Sequence, residues 1–408
     1  MDWHNVVEIS KDVYWVGVKD WDRRLFDALI PLPHGTTYNS YLVKGSNQTA
    51  LIDTVNPGFE QELKAKIGEV TKPESVDYVI MNHAEPDHAN AVSYLAGMFP
   101  DAKLITTKKG ADMAKAFFKI SDDRIQTVKE GDMIDLGGKT LRFIEAPWLH
   151  WPETMFTYLE EDRVLFPCDF LGMHTTVGFY DDELEDMIPV AKRYFGEIMM
   201  PFRSMGRKAM DKIRKLDIRM IAPSHGPIHR NPQRIMDAYD RWTAGETEEK
   251  AIIVYASMWG ATNAMIRVMA DTLTGEGIDV RLYDLSRSDI GDIAMDLVDS
   301  RAIVLGTPTL LGGMHPLAVY ASYLVKVLRP PLKYGAVISS YGWAGGALKH
   351  AGEMLGPTKI EIVGALEIHG RPDESDLSKV VDIGRQLADR IKSSGKGGAA
   401  TAGAARTA

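Results

Sequence analysis

The sequence predicts a two-part α/β chain: a layered α+β region, then a doubly wound parallel sheet. Three observations carry that prediction. The chain has 408 residues, which at about 150 residues per domain leaves room for two or three domains. Its pattern changes near residue 250, where short β-rich runs interleaved with helical patterns give way to continuous apolar runs. Between the two lies a polar stretch, 243–249, with no hydrophobic period, which reads as a linker.

In the first part the β-rich runs are 38–43, 50–53, 76–81 and 103–106, several of them ending in turn-forming residues. Helical patterns at 58–70 and 111–118 alternate with them, as in layered α/β or α+β domains. In the second part the runs are 251–256, 279–282, 302–305, 334–339 and 360–366. Short unbroken apolar runs suit strands buried on both faces of a parallel sheet. Helix-length segments separate most of them, the rhythm of a doubly wound fold. The expected domains are therefore 1–249 and 250–392, with a Gly- and Ala-rich tail from 393 to 408 that can bury little.

Composition excludes several function classes. Hydrophobic residues are 45% and charged residues 25% of the chain, which suits a globular protein. The net charge of −9 argues against a nucleic-acid binder, which needs a basic face. No apolar run reaches the roughly 18 residues of a membrane span. The polar start Met1-Asp2-Trp3-His4-Asn5 does not read as a secretory signal. Cys168 is the single cysteine, so neither a disulfide framework nor a four-cysteine metal site can form within the chain. A cytoplasmic enzyme is the expectation.

The chemistry concentrates first in Asn82-His83-Ala84-Glu85-Pro86-Asp87-His88, directly after an apolar strand. Alternation along an extended chain points His83 and Glu85 the same way. Pro86 bends the chain, so that Asp87 and His88 can converge from another direction. The same loop could instead cap the next helix through Asp87. Three further candidates follow apolar runs in the same manner: His150, Asp169 and His225. Together they make four His, two Asp and one Glu, too many for one tetrahedral zinc. Two ions sharing one carboxylate fit better, and Asp169, which arrives alone with two oxygens, is the natural bridge. Mixed imidazole and carboxylate ligation with open positions suits redox-active iron, although zinc accepts such ligands too.

A second constellation follows the run beginning at Ala251. The loop Ser257-Met258-Trp259-Gly260-Ala261-Thr262 leads into a helical pattern at 264–273. Strand, hydroxyl-rich turn and helix N-terminus together favour a phosphate. The loop has no Lys, which argues against a nucleoside-triphosphate site. A monophosphate such as that of FMN fits, while a plain serine-rich cap remains the simpler reading. Two more loops after strands would meet it at the switch point of the sheet: Pro308, Thr309, Leu310 and Gly312 from one, and Ser340, Tyr341, Gly342, Trp343, Ala344 and Gly345 from the other. Trp259 and Trp343 are candidates to flank an isoalloxazine ring or to pack.

The pattern His83-x-Glu85-x-Asp87-His88 followed by His150, Asp169 and His225 resembles the flavodiiron proteins, or A-type flavoproteins. The flanking segments Gly35-Thr36-Thr37-Tyr38-Asn39, Leu149-His150-Trp151-Pro152 and Pro223-Ser224-His225-Gly226 resemble theirs too. The resemblance spans nearly the whole chain. It implies a metallo-β-lactamase-like αββα sandwich followed by a flavodoxin-like sheet. Hydrolase relatives carry a second His where this chain has Glu85 and bind zinc. By resemblance His83, Glu85 and His150 would hold one iron, Asp87, His88 and His225 the other, and Asp169 would bridge. His174 matches a histidine lining the site, the expected catalytic residue.

The resemblance also implies FMN, reduction of O2 to water or of NO to N2O, and detoxification in an anaerobe. It implies a head-to-tail homodimer, or dimer of such dimers, in which the flavin of one subunit serves the irons of the other. Fused donor domains of some relatives have no counterpart here, so a separate donor, a rubredoxin or reduced coenzyme F420, is expected. The chain departs from the family at Arg24-Leu25-Phe26-Asp27-Ala28-Leu29, where many members place a His or a Tyr near the irons. The rival readings are a zinc hydrolase fused to a flavodoxin module, and a flavin electron carrier whose metal site is structural.

Overall fold

A computed structural model describes residues 6–396. The chain divides into two compact units. One comprises Met1–Tyr194 and Phe202–Thr243, the other Phe195–Pro201 and Ala244–Ala408.

The first unit is built on two sheets. The larger runs in the order Val7–Ser10, Val13–Trp15, Tyr41–Lys44, Thr49–Ile52, Tyr78–Ile80, Lys103–Thr107, Ile125–Val128. Its first four strands are antiparallel and the rest join in parallel. The smaller runs Met133–Asp135, Thr140–Glu145, Met155–Leu159, Val164–Phe166, Met220–Ile221. Apolar residues on alternate positions of the large sheet serve two cores. Leu42, Leu51, Val79 and Leu104 face the helices, packing with Leu63, Ile67, Ala114 and Phe118. Tyr41, Val43, Ile52, Ile80 and Ile105 face the small sheet, meeting Phe143, Leu159 and Phe166. A period of two with apolar residues on both faces is what a sheet buried on both sides requires. On the far face of the small sheet Phe156 stacks on Phe170 at 5.7 Å, and Phe170 meets Tyr239 of helix Pro232–Ala244 at 5.0 Å. The result is the αββα layering expected.

Local chemistry fixes the boundaries. Thr107 caps helix Lys108–Phe118 by accepting the Gly110 N–H at 3.1 Å, and Lys119 ends it in the left-handed region. The single strand expected at 38–43 is in fact two, Thr36–Tyr38 and Tyr41–Lys44. Asn39 breaks it, because its side chain accepts from the Trp15 indole and donates to the Pro223 and Gly226 carbonyls.

The second unit has a parallel sheet in the order Asp279–Asp284, Lys250–Tyr255, Ala302–Leu310, Tyr334–Tyr341, Glu361–His369. This is the doubly wound order with its switch point beside the first strand. Helices Ala261–Gly275 and Glu374–Lys396 cover one face through Met265, Met269, Leu273, Leu387 and Ile391. Lys250 is buried at the start of the first strand and pairs with Asp296 at 2.5 Å and Asp299 at 2.9 Å. The loop expected after residue 305 is a correction. The strand continues to Leu310 and turns through Leu311 and Gly312, both at positive φ, into the short strand Gly313–Met314. Two such residues make a tight hairpin turn. Residues 393–396, expected to be tail, continue the last helix, and 397–408 lie outside the described residues. Among the described residues no helix is long and apolar enough to cross a membrane.

Candidate metal centre and flavin pocket

In the first unit, loops that leave strand ends carry every expected ligand. His83, Glu85, Asp87 and His88 follow Tyr78–Ile80, with Pro86 opening a one-turn helix that presents Asp87 and His88. His150 follows Thr140–Glu145, Asp169 follows Val164–Phe166 and His225 follows Met220–Ile221. The side chains fall into two groups. In the first, His83, Glu85, His150 and Asp169 bring their donor atoms within 4.8 Å of one another; in the second, Asp87, His88 and His225 do the same.

Asp169 joins the groups, one oxygen to each. Its Oδ2 lies 3.4 Å from both His83 Nε2 and His150 Nε2. Its Oδ1 lies 2.8 Å from His88 Nε2 and 3.4 Å from His225 Nε2. Glu85 Oε2 is 3.2 Å from His83 Nε2 and 3.0 Å from His150 Nε2. Asp87 places its two oxygens 3.4 Å from His88 Nε2 and 3.3 Å from His225 Nε2. All four imidazoles thus turn the same atom inward.

Outer contacts set the tautomers. Glu153 Oε1 sits 2.7 Å from His83 Nδ1, and Thr37 O sits 2.5 Å from His225 Nδ1. A carboxylate or carbonyl can only accept, so each Nδ1 carries the proton and Nε2 is left with its lone pair. Glu153 also accepts the Ala84 N–H at 2.9 Å, which ties the ligand loop to the same oxygen. Thr37 lies in a flanking segment quoted from sequence, but with no role given to it, and Glu153 has no sequence signal at all. A carboxylate whose only role is to hold another ligand has no spacing signature.

Two observations test whether metal ions fit. Both oxygens of Asp87 and of Asp169, and both ring nitrogens of His88, are buried without a hydrogen-bond partner. His88 Nε2 and Asp169 Oδ1 are close, but not aligned for a hydrogen bond to each other. Buried polar atoms left so are costly, and atoms converging on a shared point instead of on one another are arranged as ligands. The second observation is charge. Burial pushes His83 down, but hydrogen bonds with Glu153 and Glu85 and the charge of Asp169 outweigh it and raise it to about 10. His88, buried but beside Asp169 and Asp87, rises to about 9, and His150, beside Asp169 and Glu85, to about 10. Burial pushes Asp169 up, yet His88, His150 and His83 hold it well below the usual carboxylate range. The carboxylates demand positive charge in the site, which metal ions would supply in place of protons.

His174 is buried beside this cluster. Its ring centre is 4.7 Å from that of His225 and 4.8 Å from Tyr194, and Nδ1 lies 2.9 Å from Thr36 Oγ1. Burial and the neighbouring His225 push it well below the ordinary range, so it stays neutral, and its Nε2 has no partner. The departing segment forms a hairpin, Leu25–Phe26 with Ile30–Pro31, turned by Asp27 and Ala28 at φ 50° and 53°. Phe26 packs on His174 at 5.2 Å. Burial first, then the charges of Glu85 and Asp87, raise Asp27. The segment thus brings a carboxyl group toward the site. Cys168 is buried, and its thiol meets Ser224 Oγ at 3.3 Å.

In the second unit a cleft of about 210 Å³ lies at the switch point. It is lined by Ser257, Met258, Trp259, Ala261, Thr262, Pro308, Thr309, Ser340, Tyr341 and Gly342, all expected from sequence, and by Gly370 and Arg371, which were not. The latter two follow the fifth strand, whose loop carried no phosphate-type signature. Gly260, Leu310, Gly312, Trp343, Ala344 and Gly345 do not line it. Gly260 serves by conformation instead, opening helix Ala261–Gly275 at φ 89° with no side-chain cap. Ser257 Oγ accepts the Asn263 N–H at 3.3 Å, and the N–H groups of Ala261 and Thr262 ahead of it are left for an anion. Thr262 Oγ1 lies 3.0 Å from Ser340 Oγ, joining two of the loops. Trp259, Leu311 and Trp343 stand out around the cleft at 88, 93 and 89% exposure. A larger cleft of about 500 Å³ in the first unit is lined by Glu130, Arg142, Arg163 and Lys212 among others, but its Arg142, Arg163 and Lys212 each pair with a carboxylate at 2.7–2.8 Å.

Residues 36–226 match the family described as ODP family beta lactamase. The chain is 39% identical over 395 residues to a nitric oxide reductase of Moorella thermoacetica, covering 94% of this chain and 98% of that one. Two solved structures align with it at 28% identity. One is the rubredoxin oxygen:oxidoreductase of Desulfovibrio gigas, with TM-score 0.92 and coverage of 95% of this chain and 99% of that one. The other is the flavodiiron protein of Giardia intestinalis, with TM-score 0.91 and coverage of 96% and 98%.

Proposed function

The chain belongs to the flavodiiron proteins, the A-type flavoproteins, and from that premise we propose that it reduces O2 to water, NO to N2O, or both, as a detoxifying enzyme of an anaerobe. It is an oxidoreductase that uses FMN and a non-haem diiron centre. His83, Glu85 and His150 hold one iron and Asp87, His88 and His225 the other, with Asp169 giving one oxygen to each. The observation that carries this reading is the pair of ligand groups sharing Asp169. Residues 1–249 supply the irons' site, and 250–392 bind FMN through the 257–262 loop, Pro308, Thr309 and 340–342.

When bound, the irons supply open positions and electrons for a diatomic substrate, and FMN supplies electrons one at a time. The protein's own residues do the rest. Glu153 and Thr37 hold His83 and His225 in the tautomer that leaves Nε2 free. His174, kept neutral, is the catalytic candidate: its unpartnered Nε2 is the hydrogen-bonding atom left for a bound diatomic or its protons.

A separate donor, a rubredoxin or reduced coenzyme F420, brings the electrons. A second copy joined head to tail, alone or in a dimer of such dimers, places its flavin against this chain's irons. The exposed Trp259, Leu311 and Trp343 beside the cleft support a covering partner. The enzyme works in the cytoplasm, in keeping with its one, unpaired cysteine.

Purification without oxygen, followed by iron, zinc and FMN analysis per chain, tests the reading. About two irons and one FMN are expected, with rapid turnover of O2 to water or of NO to N2O. Zinc in place of iron, or peroxide as the main product from O2, would overturn it.

A further inference from the structure

Behind the flavin cleft sits a carboxylate that does not line it. Glu367 lies near the end of the fifth strand, in register with Ser339 on the fourth. Its Oε1 gathers four donors: Thr309 Oγ1 at 3.1 Å, Ser339 Oγ at 3.3 Å, and the backbone N–H groups of Gly346 at 3.3 Å and Ala347 at 3.2 Å. Thr309 lines the cleft, Ser339 precedes Ser340 of its wall, and Gly346 and Ala347 open helix Ala347–Leu355.

The surrounding glycines are shaped to this carboxylate. A Cβ on Gly345 would collide with Glu367 Oε2, and one on Gly346, at φ 151°, would collide with the Gly312 carbonyl. The turn at Leu311–Gly312 and the loop at 345–346 therefore meet backbone to backbone around this one side chain. All four donors are neutral, and among the described residues no Lys, Arg or His pairs with Glu367. Its charge is softened by two hydroxyls and by the N–H groups at the start of the helix, but no opposite charge cancels it.

We propose that Glu367 is a positioning residue for the flavin, which fixes the ends of strands Ala302–Leu310 and Tyr334–Tyr341 and the start of helix Ala347–Leu355 in one arrangement and holds the flavin's reduction potential down by its uncompensated negative charge. This rests on the reading that the cleft holds FMN. Reduction adds an electron to the ring system, and a fixed negative charge nearby, in a half-buried setting that screens it less than water does, opposes that addition. An ordinary helix cap would account for the Gly346 and Ala347 bonds, but not for those from Thr309 and Ser339.

Two variants of the full-length chain separate the roles. Glu367→Gln keeps an acceptor oxygen and removes the charge; Glu367→Ala removes both. FMN affinity is read by fluorescence quenching, and the potential by anaerobic spectroelectrochemistry. Titration of the unaltered chain comes first: failure to bind FMN there would refute the cofactor reading itself, and this proposal with it. For Glu367→Gln the expectation is FMN affinity within about threefold of the parent and a raised potential. The ratio of affinities for reduced and oxidised flavin should rise about threefold or more, each tenfold corresponding to about 59 mV on a one-electron couple. For Glu367→Ala the expectation is FMN affinity weakened about tenfold. An unchanged or lowered potential in Glu367→Gln, with at most a lower melting temperature, would leave a helix cap and overturn the electrostatic role. Parent-like affinity in Glu367→Ala would overturn positioning. Should the alanine variant fail to fold, the potential of the glutamine variant still decides.

Discussion

Removing the carboxylate behind His83 tests the metal assignment without touching a ligand. Glu153 Oε1 accepts from His83 Nδ1 at 2.7 Å and from the Ala84 N–H at 2.9 Å, fully inside the protein. Glu153→Gln keeps an oxygen there but makes both bonds neutral. A hydrogen bond to a charged group is worth about 1.5–3 kcal/mol and a neutral one about 0.5–1.5, so a loss of about 1 kcal/mol is expected. Glu153→Ala frees the ring and its tautomer, and outer partners of ligating histidines are typically worth about 10- to 100-fold in affinity, or about 1.4–2.8 kcal/mol. The loss should fall on the ion held by His83, Glu85 and His150 and leave the other nearly unchanged. Anaerobic ferrous titration against a competing chromophoric chelator resolves the two steps. Equal weakening of both, or Glu153→Ala binding as tightly as the parent, would show that this carboxylate does not orient His83.

Asp169→Ala takes an oxygen from both groups at once, so iron content should drop to less than one per chain while FMN stays bound; full occupancy by metal analysis would contradict the bridging assignment. The metal-free protein should also show a pH dependence. His83, His88 and His150, raised to about 10, 9 and 10 in the fold against about 6.5 unfolded, contribute stability that is fully present below pH about 6.5 and lost as the pH rises through 9 to 10. Denaturant titrations of metal-free protein from pH 6 to 10 should therefore find falling stability. Gly45→Ala drives a Cβ into the Leu136 carbonyl, joining two loops of the first unit, and should cost roughly 1–3 kcal/mol by the same titration, with metal content per folded chain unchanged.

The ligand set was legible in the sequence because each member follows an apolar run, and a strand end on a rigid sheet is where a side chain can be aimed. The fold of the second unit was legible for a related reason, since continuous apolar runs at helix-length spacing admit few topologies. The rest was hidden for physical reasons. Glu153 and Thr37 act on ligands far away in sequence, so only tertiary contact reveals them. Pro308, Thr309 and Leu310 read as loop because Pro and Thr interrupt the apolar run, but pairing with the short strand Gly313–Met314 overrides that weak local preference. Gly345 was expected to line the flavin cleft; its lack of a side chain instead makes room for Glu367.

The ligands are spread from the loop after the fifth strand of one sheet to the loop after the last strand of the other. A nascent chain emerging from the ribosome therefore holds a complete set only once His225 is out and the two sheets have closed on each other. Earlier, the four ligands between His83 and His88 are a loose chelating loop with affinity for whatever cation is abundant. Loading of the correct ions is thus tied to the completion of the slowest, most non-local part of folding, and a cell that limits free zinc during synthesis would protect the assembly of this centre.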